Sequence, residues 1–287
     1  MNTTSSTPRY VSVHGGHSGQ FCDHATDDLE NIIKRYIELN FSWIGITEHA
    51  PAISTALLDP GQVELGLSPE LLLKTFTSYM DECRHLQNKY QSQLKIFAAM
   101  EIETYSGYKQ FVPFLLERYR PDYIVGSIHF VDDISIDYSQ KTYAQAVQQQ
   151  GSIDKLYCRY FDQQYEMLNL FRPAVVGHFD LIRIFDPGYK SRLQKPAIWQ
   201  RIKRNLKLIK EFDLILDLNL RALVKGADEP YISRPILELA RGLDIAVVPG
   251  DDSHGVKSVA GYMDQGISLL TELGFSTQWR QPTLLSY

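Results

Sequence analysis

Short apolar runs alternate along this chain with longer stretches in which apolar positions recur every three or four residues. The runs fall at residues 10–13, 43–46, 96–100, 123–128, 174–176, 214–218 and 245–248 and are mostly β-branched or aromatic. Runs this short, bounded by polar residues, read as buried strands. Between them, residues 26–39 place Leu29, Ile32, Ile33, Tyr36 and Ile37 on one helical face. Residues 68–90 open with Ser-Pro-Glu, a favourable helix start. Residues 153–171, 197–212, 235–241 and 256–273 carry the same helical spacing. This alternation predicts an α/β fold with a parallel sheet, and its repetition favours a barrel over an open sheet.

Each predicted strand runs into polar chemistry. The first leads to His14 and His17, the second to Glu48 and His49, the third to Glu101, the fourth to His129 and the fifth to His178. The sixth leads to Asn219 and Arg221, and the seventh to Asp252, Ser253 and His254. In parallel α/β barrels the carboxyl ends of the strands share the face that carries the active site. Residues from both ends of the chain are therefore expected to converge. Of the eight histidines, only His85 lies inside a predicted helix, and it is read as a solvated surface residue. The other imidazoles, packed around Glu101 and Asp252 without a cation, would leave nitrogens unpaired and charges uncompensated. The group is expected to bind metal. Imidazole with carboxylate suits zinc, iron and manganese. Cys22, between His17 and His24, is read as a small buried hydrophobe rather than a thiolate ligand.

Composition narrows the picture. The 287 residues are 44% hydrophobic and suit one α/β barrel, so a single domain spanning 1–287 is expected, with residues 1–9 as a flexible tail. A net charge of -5 argues against nucleic acid as partner, yet allows a small phosphorylated substrate because bound cations supply positive charge. The three cysteines, Cys22, Cys83 and Cys158, form no CxxC, which points to a reducing compartment, the cytoplasm. The sequence MNTTSSTPRY lacks the features of a secretory signal, and no apolar run reaches the roughly 18–20 residues of a membrane span. The absence of GxGxxG, GxxxxGK[ST] and GxSxG argues against nucleotide cofactors and serine hydrolases. Oligomeric state is not readable.

The segments HGGHSGQFCDHA (14–25), ITEHAP (46–51), AMEIE (99–103), GSIHF (126–130), VGHFDL (176–181) and GDDSHG (250–255) resemble, in order, the motifs of the polymerase-and-histidinol-phosphatase (PHP) superfamily. Within it, the FC-x-HA, TEHAP and VGHFDL details resemble the histidinol-phosphatases most. The resemblance implies a distorted (β/α)7 TIM-like barrel with three divalent transition metals, zinc, iron or manganese. It implies one metal on His14, His17, Glu101 and Asp252. A second shares Glu101 and adds His129 and His178, and a third takes His24, His49 and His254. A carboxylate has two oxygens and can bridge cations. The implied substrate is histidinol phosphate, cleaved to L-histidinol and phosphate in histidine biosynthesis. The family usually opens with His-x-His, whereas here His14-Gly15-Gly16-His17 is one residue longer. On a regular strand these histidines would face opposite ways. Either the glycine pair forms a bulge or turn that restores convergence, or His14 is not a ligand.

The expected chemistry is phosphomonoester hydrolysis by a hydroxide held between two metals. Glu101 and Asp252 are the carboxylates at its centre. Asp180 is read as orienting a ligand histidine or the leaving group, or else as a helix N-cap before Leu181. Arg183 and Arg221, after the fifth and sixth strands, are read as phosphate clamps, because guanidinium grips phosphate with paired hydrogen bonds. Glu103 is read as the receiver of a substrate ammonium, or as a solvated loop charge. Glu48 is a candidate acid behind the metals, and Tyr105, Phe130 and Tyr231 are candidate walls for an imidazole ring. Competing readings are a PHP-type nucleotide phosphoesterase or nuclease, a metal-binding module without catalysis, and an amidohydrolase-type barrel. The last is disfavoured because Ser127-Ile128-His129 offers no lysine.

Overall fold

The computed structural model describes residues 9–287; the expected tail, apart from Arg9, lies outside the described residues. Its strands are β1 (Val11–Gly15), β2 (Trp43–Ile46), β3 (Lys95–Ala98), β4 (Met100–Ile102), β5 (Ile124–Gly126), β6 (Phe130–Val131), β7 (Ile134–Ser135), β8 (Val175–Val176), β9 (Ile215–Asn219) and β10 (Val247–Gly250). β1, β2 and β3 pair side by side, and β10, β9, β8, β5 and β4 form a second set. All of these pairings are parallel. The expected strand at 96–100 breaks at Ala99, so that β3 lies on β2 while β4 turns onto β5. That corner joins the two sets.

On the far side β10 and β1 share no ladder. The Asp252 amide donates to the His14 carbonyl at 2.9 Å and the His17 amide to the Ser253 carbonyl at 2.7 Å. Ser12 Oγ donates to Asp251 Oδ1 at 2.6 Å across the same seam. The result is the distorted (β/α)7 barrel, laddered everywhere but at this seam. β6 and β7 form a small antiparallel hairpin beyond His129.

The barrel interior below the strand ends is a separate apolar plug that includes Val11, Val13, Trp43, Phe97, Tyr123 and Val125. The Tyr123 hydroxyl crosses it to donate to the Val13 carbonyl at 2.6 Å. A Cβ at Gly45 would lie 1.6 Å from that hydroxyl, so only glycine admits the ring there. The larger core lies between the strands and the outer helices.

The helices follow the sequence pattern with local differences. Leu29–Glu38 starts later than expected because Asp27 has φ 65° and Asp28 is an extended N-cap. Pro69–Lys89 is capped by Ser68 Oγ, which accepts the Leu71 amide at 3.2 Å. The helix expected at 256–273 is instead a turn, Val256–Ser258, and a helix, Met263–Glu272, parted by Ala260 and Tyr262 with φ 61° and 60°. No helix of the described residues is long and apolar enough to cross a membrane.

Candidate metal centre

The first strand decides whether the site can assemble. Between Ser12 and Gly15 the register of β1 on β2 slips by one residue. This bulge turns both Val13 and His14 inward, where regular alternation would send one of them out. Gly16 follows with φ 57°, a left-handed turn open to glycine. His17 thus returns to 6.1 Å from His14, ring centre to ring centre. Both histidines are fully buried. The long spacing is absorbed by a bulge ahead of the glycine pair and a turn within it.

Four rings are held through one nitrogen. His14 Nδ1 donates to Asp217 Oδ2 at 2.9 Å, and His17 Nδ1 to Glu48 Oε2 at 3.2 Å. His129 Nδ1 donates to Glu103 Oε2 at 2.7 Å, and His254 Nδ1 to the Asp252 carbonyl at 2.9 Å. A proton fixed on Nδ1 leaves Nε2 with a free lone pair. Three of these Nε2 atoms turn on the central carboxylates. His14 Nε2 lies 3.4 Å from Glu101 Oε2, His17 Nε2 3.2 Å from Asp252 Oδ1, and His129 Nε2 3.6 Å from Glu101 Oε1. His178 Nε2 is 3.0 Å from both Glu101 Oε1 and His129 Nε2. His49 Nδ1 is 3.0 Å from Glu101 Oε2.

These atoms lack something. His14 Nε2, His17 Nε2 and Glu101 Oε2 are buried with no hydrogen-bond partner. Orphaned buried polar atoms cost roughly 1–3 kcal/mol each. Divalent cations fit the deficit, because they take up lone pairs and compensate carboxylates. The ligand atoms of His14, Glu101 and His178 lie within 4.8 Å of one another, as do those of His14, His17 and Asp252 and those of His49, Glu103 and His129. Acceptors that fix a tautomer and aim the other nitrogen are the outer part of such sites. The site is built for divalent metal.

Against burial, the surrounding carboxylates raise His14 well above the usual imidazole range and His129 to about 9, so these rings take a second proton on Nε2 unless a cation holds the lone pair. Burial alone would push the Glu101 carboxyl up, but the charges of His14, His129 and His49 outweigh it and hold it well below the usual carboxylate range. Asp252 is held down against burial by His14 and His17. Burial and the field of His17 push His254 well below the usual imidazole value, which keeps its Nε2 free of a proton.

His24 is placed differently. Its side chain is 55% exposed, with its ring centre 5.6 Å from that of His49 and 4.9 Å from that of His254. Its nitrogens lie 3.3 and 3.4 Å from Cys22 Sγ. Cys22 is buried as expected, yet its sulfur lies within 4.8 Å of ligand atoms of His17, His49 and His254.

The expected substrate residues part company. Arg221 opens the short helix Arg221–Val224 beyond β9, and its buried Nε has no partner. Its charge helps to depress His254. Arg183 is occupied. It donates to the carbonyls of Glu229 and Pro230 at 3.0 and 2.7 Å, pairs with Asp180 at 3.3 Å and lies over the rings of Tyr189 and Tyr231. It braces the Tyr231 loop, although its buried Nε, like that of Arg221, has no hydrogen-bond partner. Asp180 occupies the N-cap position of Leu181–Arg183 without capping it. It accepts from the Ser233 amide at 3.0 Å and from the Ser233 hydroxyl, and no hydrogen bond joins it to His178 among the described residues.

Glu103 is buried, so it is not a solvated loop charge, and it lines the cavity while engaged by two histidines. Both its oxygens face His129 Nδ1, and one lies 3.3 Å from His49. Glu48 orients His17 and accepts the Ser18 amide at 2.8 Å. The sequence reading missed Asp217, whose one signal is a charge inside the apolar run of β9. Asn219 Nδ2 donates to Asp217 Oδ2 and to Asp252 Oδ2 at 3.0 Å each. A cavity of about 430 Å³ opens over His49 and His129, walled by Tyr105, Phe130, Leu57 and Phe76. Tyr231 lies outside it, 6.3 Å from His178.

Comparison with known proteins places this geometry. The PHP domain family matches residues 15–221. The "Probable histidinol-phosphatase" of Schizosaccharomyces pombe is 35% identical over 271 residues, covering 93% of this chain and 88% of that protein. The histidinol-phosphatase of Saccharomyces cerevisiae is 28% identical over 88% of this chain and 85% of its own length. A solved Listeria monocytogenes protein assigned as a histidinol phosphatase superposes with a TM-score of 0.79 at 29% identity, covering 89% of this chain and 99% of its own. The Lactococcus lactis histidinol phosphate phosphatase, solved with zinc, L-histidinol and phosphate, has a TM-score of 0.71 at 17% identity, covering 96% and 98%; at that identity the likeness shows the fold. Motif order, barrel and the match across most of the chain agree, and the chain belongs to the PHP domain family.

Proposed function

We propose that this chain is a metal-dependent phosphomonoesterase that hydrolyses L-histidinol phosphate to L-histidinol and phosphate. The reading rests first on the imidazoles locked through Nδ1, with lone pairs turned on Glu101 and Asp252. It is supported by relatives named for this activity over most of their length, and by a neighbour of the same fold solved with zinc, L-histidinol and phosphate. His14, His17, Glu101 and Asp252 would hold one divalent ion. Glu101, His129 and His178 would hold a second, and His24, His49 and His254 a third, as zinc, iron or manganese. When bound, such ions polarise phosphoryl oxygens and make a nucleophile available at neutral pH.

The chain's own residues do the rest. Asp217, Glu48 and Glu103 keep the ligand rings oriented. Arg221 grips the phosphate with a guanidinium whose Nε is otherwise unpartnered. Tyr105 and Phe130, packed edge to face, wall off water beside the centre and offer one aromatic wall to the imidazole of the substrate. The three free cysteines suit a cytoplasmic setting. Phosphate release from histidinol phosphate, a nucleoside bisphosphate and single-stranded DNA, assayed side by side, tests the reading. Preference for the first is expected, and preference for either of the others would overturn it.

A further inference from the structure

The cavity beside the metal centre is apolar on most of its wall and acidic at one side. Asp59 and Asp137 both line it, and no lysine or arginine does among the described residues. They come from distant segments: Asp59 precedes the short helix Pro60–Glu64, and Asp137 follows the β6–β7 hairpin. Asp59 Oδ1 is buried and has no hydrogen-bond partner. The amide of Asp59 already donates to Gln62 Oε1 at 3.2 Å. Of the other acids lining this space, Glu103 is committed to His129 and His49, Glu48 to His17 and the Ser18 amide, and Asp23 stands beside His24. Burial, then the charges of Asp137 and Glu103, push the Asp59 carboxyl up to about 6, as in a negative pocket awaiting a positive group.

We infer that Asp59, backed by Asp137, determines specificity by accepting a hydrogen bond from a cationic nitrogen of the substrate, the ammonium or protonated imidazole of an amino-alcohol phosphate. The inference rests on the phosphatase reading for where the ester phosphate sits. With that end at His49 and His129, the organic end runs along the wall that the edge-to-face pair Tyr105 and Phe130 forms, toward Asp59. A cation there supplies the donor that Oδ1 lacks. A neutral organic end leaves the oxygen unpaired, and an anionic one is repelled by both carboxylates. This separates an amino-alcohol ester from nucleotides and sugar phosphates that the metals alone would accept.

Asp59→Asn and, independently, Asp137→Asn test it on the metal-loaded enzyme. For Asp59→Asn, the ratio of kcat/KM for histidinol phosphate to that for phenyl phosphate should fall about tenfold or more, with a smaller fall for Asp137→Asn. A ratio within about twofold of wild type in both variants would overturn the proposal. Calorimetric binding of L-histidinol in the presence of phosphate reads the same contact without turnover. Wild type that binds L-histidinol but releases no phosphate from its ester defeats the phosphatase reading. The loss or retention of that binding in Asp59→Asn then decides the recognition claim. Wild type that binds no L-histidinol refutes the recognition claim outright.

Discussion

The two corners of the metal centre are built on different terms. At the inner corner His14, Glu101 and Asp217 are fully buried, and the ring of His14 is fixed by a 2.9 Å hydrogen bond to an aspartate that is itself held by Asn219. At the outer corner the His24 side chain is 55% exposed, and its nitrogens meet a cysteine sulfur and a neighbouring aspartate. One corner is pre-organised by strands on every side, whereas the other rests on a loop. Pre-organised ligands bind with less ordering cost, so the inner corner should hold metal tightly and the outer corner exchange it.

The largest effect should come from Glu101→Gln. It removes the carboxylate that His14, His49, His129 and His178 all face, and phosphate release should fall by about a thousandfold, with loss of bound metal by elemental analysis. Activity within about tenfold of wild type would strip Glu101 of its central place. Asp217→Asn comes next. It disturbs the acceptor that fixes the His14 tautomer, and metal affinity read by chelator competition should weaken about 10- to 100-fold. An unaltered competition curve would mean the inner corner needs no such support.

Arg221→Ala should raise KM for histidinol phosphate about tenfold while bound metal stays near wild type. A rise under about twofold would remove it as a clamp. His24→Ala should do least, with loss of the outer metal and a fall in activity under about tenfold. A loss as deep as that of Glu101→Gln would erase the distinction between the corners.

Sequence carried the barrel and the list of residues at its mouth because parallel strands buried on both faces leave compact apolar runs, and each run ends in its functional residue. It could not carry what depends on a neighbouring strand. The bulge at Val13–His14 exists only relative to β2, and glycine at 15 and 16 permits several outcomes. The break at Ala99 is set by β3 and β4 facing different partners. The helix Tyr108–Tyr119 is masked by Pro113 inside it, and Gln140–Gln150 has too few apolar residues to show a stripe. Charged residues were located but not their partners. Arg183 and Glu103 lie near strand ends as expected, and carbonyls and histidines engage them there. Asp217 lay hidden in an apolar run because what singles it out is His14, 203 residues away.

The most direct test is phosphate release from histidinol phosphate followed through chelation and re-addition of zinc, iron or manganese, with metal content measured at each step. Activity should fall in proportion to the metal removed and return as it is restored, with the protein folded throughout. A folded, metal-free protein that hydrolyses the ester at the full rate would contradict the account.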